Sequence, residues 1–510
     1  MKFNHKDAAQ VFSHGESSIF IGNNFTDAQL LFVIPFAEGY AMQKNIKKII
    51  FDQPLPIAVE KKPFIKNILK KYQIYCQPKS PKLTSRLKLM YLAARFFFPL
   101  ISLTKKTTRS GLMEKVSWYE SQLRHAVWDT TLNRSKDGFL YFSLINRFAS
   151  ALFVFAAVKN TSELLDKHSI KLAILGHSVY AGRGVLAEFQ RRGIHIVAHA
   201  NNVLYQITNY SNNSWGMMPC VDWNLLITCV DKLEVQAYWK QRLMGKSSYA
   251  DAERAANSQK LVSLKTPKNI IFLHVFRDSP FNYIDRDRIF ADYIHWIEET
   301  LSIIAESNES WLIKLHPSAK LWGEDQMLWL KSIGRCVFGD YWPPNIEIDK
   351  LDHSNIDLIT HAKRVVTFHG TVHLETACCG VKPIVISEVS LSSYNSNLVC
   401  KPASLNEYKL LLLSSEKLIS FRLSSKEQND AKHLLFIREN VLSFGKDVGS
   451  THIYRGESAA AHMEVFESMS DKIDNFSDNL VAIGVAMANG ISRSTRFCYF
   501  KRWLDASLSL

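Results

Sequence analysis

Four short segments carry polar and ionisable side chains at spacings that could bind an anion or move a proton. In WLIKLHPS (311–318), a buried run delivers Lys314, His316 and Ser318 to its carboxyl end, where Pro317 stops a strand. An imidazole there can hold a phosphate oxygen, or be satisfied by backbone. In VVTFHGTVHLETACCG (365–380), a strand ends at Phe368-His369, Gly370 permits a sharp turn, and Thr371 is placed to cap a helix with free N–H groups. Glu375 lies four residues past Thr371, one too many for a capping box; its carboxylate either faces the ligand and accepts ribose hydroxyls or complements the helix dipole.

The third segment, FLHVFRDSP (272–280), places Asp278 beyond a strand end, with His274 on the same strand. Asp278 is a candidate general base or nucleophile, or an Asp that opens a turn before Pro280. The fourth, GHSVYAGRGVLAEF (176–189), contains G-x-G-x-x-A from Gly182 to Ala187, but no acidic residue ends the following strand IHIVAHA, so a dinucleotide site is not supported. His177, Tyr180 and Arg183 are read instead as cleft-facing acceptor-side residues. Asp285-Arg286-Asp287 is assigned to a helix N-terminus rather than to a metal.

These segments need a scaffold that presents strand ends. SSIFIG (17–22), a helix over 26–44 and KKIIFD (47–52) make a βαβ unit, and KLAILG (171–176), a helix over 181–192 and IHIVAHA (194–200) make another. Residues 245–268 lose apolar periodicity and become polar, after which strands return at 269–276, 310–316, 364–369 and 382–387, with helices at 286–306, 354–362 and 371–379. The expected architecture is α/β: two Rossmann-type domains facing a cleft, with a helical C-terminal segment. The domains are 1–250, with a basic, partly helical insertion at about 61–165; then 262–415; then helical 416–510. The cleft at the carboxyl ends of the strands is the expected ligand site.

Composition sets the partners. The chain has 510 residues, 47% of them hydrophobic, and a net charge of +14. Residues 61–124 hold fifteen lysines and arginines against only Glu114 and Glu120, so nearly all of the excess sits there. This basic stretch surrounds LMYLAARFFFPLISLT (89–104), a pairing expected for peripheral contact with an anionic membrane surface. With Arg95 and Pro99 inside it, the run is a poor span. No nucleic-acid-binding motif is present. Eight cysteines without a CxxC pair, and an N-terminus without an apolar h-region, fit a cytoplasmic protein.

With these residues in view, 269–390 resembles the donor half of a GT-B glycosyltransferase of the bacterial capsule and surface-polysaccharide biosynthesis type, the HP-motif group with Kdo- and sialyl-transferring relatives. The resemblance is carried by Lys314, His316 and Pro317, by DLITHAKRVVTFHGTVHLETACCGVKPIV and by HVFRDS. GHSVYAGRGVLAEFQRRGIHIV is similar to the acceptor-domain strand and helix of such proteins. The resemblance implies that His316 and the Gly370–Thr371 turn contact the donor phosphate and that Glu375 holds the nucleotide's sugar. Asp278 is the first catalytic candidate, with Glu16, near the N-terminus, as the alternative acid acting from the facing domain. The resemblance also implies a nucleotide-sugar co-substrate, such as a CMP-linked acidic sugar, and no required cofactor or metal. The acceptor would be an oligosaccharide or lipid-linked glycan of a capsule or lipopolysaccharide, at the cytoplasmic face of the inner membrane. An epimerase or isomerase on the same fold, and a non-catalytic assembly or export factor, are the alternatives.

Overall fold

A computed structural model describes residues 16–22, 25–77, 82–134, 143–176, 179–200, 203–207, 227, 230–246, 268–278, 289–349, 353–386, 396–414 and 421–441, and parts of 463–485. Two sheets organise it. The first comprises β1 (Ser17–Ile21), β2 (Lys48–Phe51), β3 (Gln73–Cys76), β4 (Ser169–Leu175), β5 (His195–Ala200) and β6 (Val203–Ile207), in the order β3-β2-β1-β4-β5-β6. Five strands are parallel, and β6 returns antiparallel on β5. This is the Rossmann order, with its reversal between β1 and β4.

The second sheet comprises β7 (Lys268–Phe272), β8 (Trp311–Lys314), β9 (Ile346–Asp349), β10 (Ala362–Thr367) and β11 (Ile384–Val385), all parallel, in the order β11-β10-β7-β8-β9. It is the same winding, reversing between β7 and β10. The β-branched runs KIIF, KNIIF and AKRVVT become central strands because both faces are covered. β7 is shorter than 269–276. Its pairing ends at Phe272, opposite Lys314 and Thr367, and the chain leaves the sheet into a 3-10 turn, Phe276–Asp278. His274 is therefore a loop residue. The helix expected from 286 begins at Tyr293, where Asp292 accepts the His295 N–H and caps it.

Helix Asp27–Gln43 is buried on every side, as a helix with no polar face must be. One face packs on the first sheet and the other on residues from the far end of the chain: Phe466, Leu480 and Ile483 join its core. The approach is close enough that a Cβ on Gly39 would lie 1.8 Å from the Val481 carbonyl oxygen. The expected C-terminal helical segment is thus divided. Helix Ser425–Phe436 packs on the second domain against helices Lys232–Leu243 and Val372–Cys378, whereas 480–485 returns to the first.

The stretch 61–165, read as an insertion, holds the sheet strand β3 as well as helices, and its helices pack into both domains. Helix Trp118–Arg134 is largely buried, with Leu132 in the second domain's core. Arg109 ion-pairs with Asp292 (3.2 Å) and Glu298 (2.6 Å) of the second domain. The insertion fastens the two domains together.

Candidate functional site

The carboxyl ends of β7, β8 and β10 converge on a group of imidazoles. β7 is central, and its His274 ring lies 4.3 Å from that of His369, past β10, and 5.4 Å from that of His316, past β8. This is the reversal point of the second sheet, where a parallel α/β sheet opens a crevice. Gly370 takes φ +114°, in the region that favours glycine, and turns the chain from β10 into helix Val372–Cys378. His373 then bonds the Gly370 carbonyl through Nδ1. His369 is buried, and burial together with His274, His373 and His316 pushes its pKa well below the usual imidazole range, so it is neutral.

His316 is oriented by backbone. Its Nδ1 accepts the Ser318 N–H at 3.2 Å, which leaves the proton of the neutral ring on Nε2 as a donor. Its own N–H donates to Gln326 Oε1, and Gln326 Nε2 donates to the His274 carbonyl at 2.8 Å. Gln326 therefore clamps the β7 and β8 loops together. Glu324, two residues earlier and also buried, accepts from the Phe276 N–H (3.1 Å) and the Arg277 N–H (2.8 Å), fixing the turn that ends in Asp278. Burial lifts its carboxyl to about 7, against the opposing effect of those two amides. Among the described residues, no three His, Cys, Asp or Glu side chains are arranged to share an ion.

This end of the second sheet faces the first domain. Tyr180, held at φ +54°, leads into helix Ala181–Arg191 just past β4 and reaches the Arg277 carbonyl with its hydroxyl at 3.3 Å. Arg277 Nη2 donates to the Asn133 carbonyl at 2.7 Å. The carboxyl ends of the two sheets thus confront one another, with Tyr180, Asn133 and Arg277 at the contact.

Several expected site residues lie elsewhere. Lys314 is buried and binds Asp349 (2.6 Å), its direct neighbour across β9, and the His353 carbonyl (2.5 Å); it braces the site from beneath and does not face a ligand. Ser318 is buried, and its backbone serves His316. Thr371 stands at the N-cap position of helix Val372–Cys378, but its φ and ψ are helical and its side chain makes no capping bond. Glu375 is buried against Arg242 of helix Lys232–Leu243, with Glu439 3.8 Å from the same guanidinium. Burial works to lower the pKa of Arg242, but the two carboxylates hold it above its usual value.

Arg183 is fully buried. It donates to Gln122 (2.7 Å) and pairs with Asp129 (3.5 Å), and burial lowers its pKa to about 10. It ties its helix to helix Trp118–Arg134 and is not a cleft residue. Glu16 is exposed and precedes β1, so it lies at the amino end of the sheet, opposite the cleft. His177, the Asp285–Asp287 pair and the side chain of Asp278 lie outside the described residues.

Asp52 was not anticipated, although its place one residue past the run KIIF was a readable signal. It sits at the carboxyl end of β2, its N–H bonded to the Ile21 carbonyl at 3.0 Å. With Phe25, Leu30, Phe51 and Leu55 it lines a small crevice with room for about one water molecule. Those apolar walls lift its carboxyl to about 6.

No protein-family profile matches the chain, and no curated protein does. Among solved structures, it is similar to the beta Kdo 2,4 transferase KpsC of Thermosulfurimonas dismutans (11% identity, 54% of this chain and 85% of that one, TM-score 0.30). It is also similar to the UDP-GlcNAc 2-epimerase of Methanocaldococcus jannaschii (13%, 81% and 97%, 0.26) and to the glycosyltransferase SnogD of Streptomyces nogalater (10%, 92% and 100%, 0.23). At these scores the strand order carries the assignment. Two Rossmann-wound sheets with opposed carboxyl ends form a GT-B-like α/β fold.

Proposed function

We propose that the chain is a metal-independent, nucleotide-sugar-dependent glycosyltransferase that extends a cell-surface polysaccharide or lipid-linked glycan from the cytoplasmic face of the inner membrane. The observation that carries the reading is the set His274, His316 and His369 at the reversal point of the second sheet, opposite the strand ends of the first. A nucleotide phosphate placed there meets the Nε2–H of His316 and the backbone of the Gly370 turn. Such donors stabilise charge as it develops on the leaving phosphate. The first domain would hold the acceptor hydroxyl. Asp52, at the proper end of its sheet, replaces Glu16 as the first-domain carboxylate that takes the hydroxyl proton, and Asp278 remains the alternative base.

The test is incubation with CMP-, UDP- and GDP-sugars, with and without a lipid-linked or oligosaccharide acceptor. CMP-linked acidic sugars come first. Acceptor-dependent nucleotide release is expected. Conversion of a nucleotide sugar without acceptor would make the protein an epimerase, and binding without any turnover would make it a non-catalytic module.

A further inference from the structure

The first domain carries a large apolar surface built from two separate segments. Helices Lys82–Arg95 and Phe97–Lys106 meet at an 82° bend, and Phe98, at its outer corner, is 83% exposed. Beside it comes helix Leu144–Lys167. Its Phe148 ring lies 6.1 Å from that of Phe97, and one turn earlier Ile145 is 79% exposed. Met90, Leu144 and Phe153 on the same helices are also exposed, and the Phe97 ring, 5.8 Å from that of Phe98, joins the two segments at the corner. Soluble proteins rarely leave so much contiguous apolar surface uncovered.

By length and composition, helix Leu144–Lys167 could cross a membrane. Its Ala151, Val154, Leu164 and Leu165 are nevertheless packed in the first domain's core, so only its outer side is available. The bent pair cannot span either, since its two arms run in different directions and neither approaches the roughly 20 residues a span requires. The geometry suits lying on a bilayer.

Charge selects the bilayer. Arg147 fastens the start of helix Leu144–Lys167 to the Thr107 carbonyl (2.7 Å), which brings exposed Lys105 to the rim. Arg95 stands over the Tyr91 and Phe96 rings, and Arg134 over Phe153. Not every cation of the basic stretch contributes. Arg109 is committed to Asp292 and Glu298, Arg124 to Glu114 and Glu120, and Lys106 to Glu120.

We infer that the corner formed by Phe97, Phe98 and Ile145 inserts into the headgroup region of an anionic lipid bilayer, with Arg95, Lys105 and Arg134 contacting lipid phosphates. The inference deepens the membrane part of the proposed function, and its test is independent of the sugar chemistry. Full-length protein is floated with phosphatidylcholine vesicles with and without phosphatidylglycerol, and nucleotide binding and melting temperature are measured on the same samples. Wild type should bind the phosphatidylglycerol vesicles and release at high salt. The pair Phe98→Asp with Ile145→Asp should weaken binding roughly a hundredfold, and Arg95→Glu with Lys105→Glu at least roughly tenfold, with melting temperature and nucleotide affinity unchanged. Equal binding to neutral vesicles, undiminished binding by both variants, or a wild-type dimer that Phe98→Asp dissociates and that ignores lipid would each overturn the inference.

Discussion

Glu375 separates two accounts of the site, because read from its motif it holds a ribose, whereas in the fold it neutralises Arg242. Removing one member of a buried ion pair costs about 3–5 kcal/mol, because the partner stays buried with its charge uncompensated. Arg242 keeps Glu439 at 3.8 Å, so Glu375→Ala belongs at the low end, near 3 kcal/mol. For a domain of this size, each kcal/mol moves the melting temperature by roughly 2–4 °C, giving a fall of roughly 6–12 °C. Glu375→Gln, which keeps the volume and a hydrogen-bond acceptor, should fall by less. Calorimetric titration with CMP, UDP and GDP, well below the lowered midpoint, should give affinities within a few-fold of wild type. A Glu375→Ala protein that melts with wild type yet loses nucleotide binding tenfold would refute the reasoning and return the carboxylate to the ligand.

Other consequences are equally direct. Asp52→Asn should abolish acceptor-dependent transfer without changing nucleotide affinity, while raising stability near neutral pH. The folded carboxyl sits at about 6 against 3.8 unfolded, so its favourable contribution is present below 3.8 and lost as pH rises through 6; the amide removes a penalty of at most about 3 kcal/mol, read from urea midpoints. Glu324, raised from 4.5 to about 7, should likewise stabilise the fold below 4.5 and lose that contribution as pH rises through 7. The wild-type minus Glu324→Gln stability difference should therefore slope by up to about 3 kcal/mol across that window, and a flat difference would show that the carboxyl is not desolvated. Gly39→Ala should cost about 1–3 kcal/mol through overpacking against Val481, with hydrogen exchange accelerated in 480–485.

The elements that position the site were legible in the sequence because their signals are local. Runs such as KIIF and AKRVVT announce buried parallel strands, and Gly370 marks a turn that needs left-handed backbone. Edge strand β3, with exposed Gln73, Ile74 and Tyr75, has no such pattern, and in edge strand β9 (IEID) the apolar run is broken by exposed Glu347. The roles of charged residues were much less legible, since their partners are distant in the chain: Lys314 finds Asp349 only across a strand pair, Arg183 finds Asp129 54 residues away, and Glu375 finds Arg242 133 residues away. Glu16 is a different case. It precedes the first strand, so in a parallel sheet its place at the far end from the cleft was already implied.

The return of residues 480–485 to helix Asp27–Gln43 has a mechanical consequence. The polypeptide passes from first domain to second, then back again, so two covalent straps join the bodies. Together with the Arg109 ion pairs and the burial of Leu132 in the second domain's core, the two passages oppose swivelling of one body on the other. Because Gly39 and Val481 meet without slack, the returning chain is a wall of the first domain's own core, and peeling 480–485 away would strip the cover from one side of helix Asp27–Gln43.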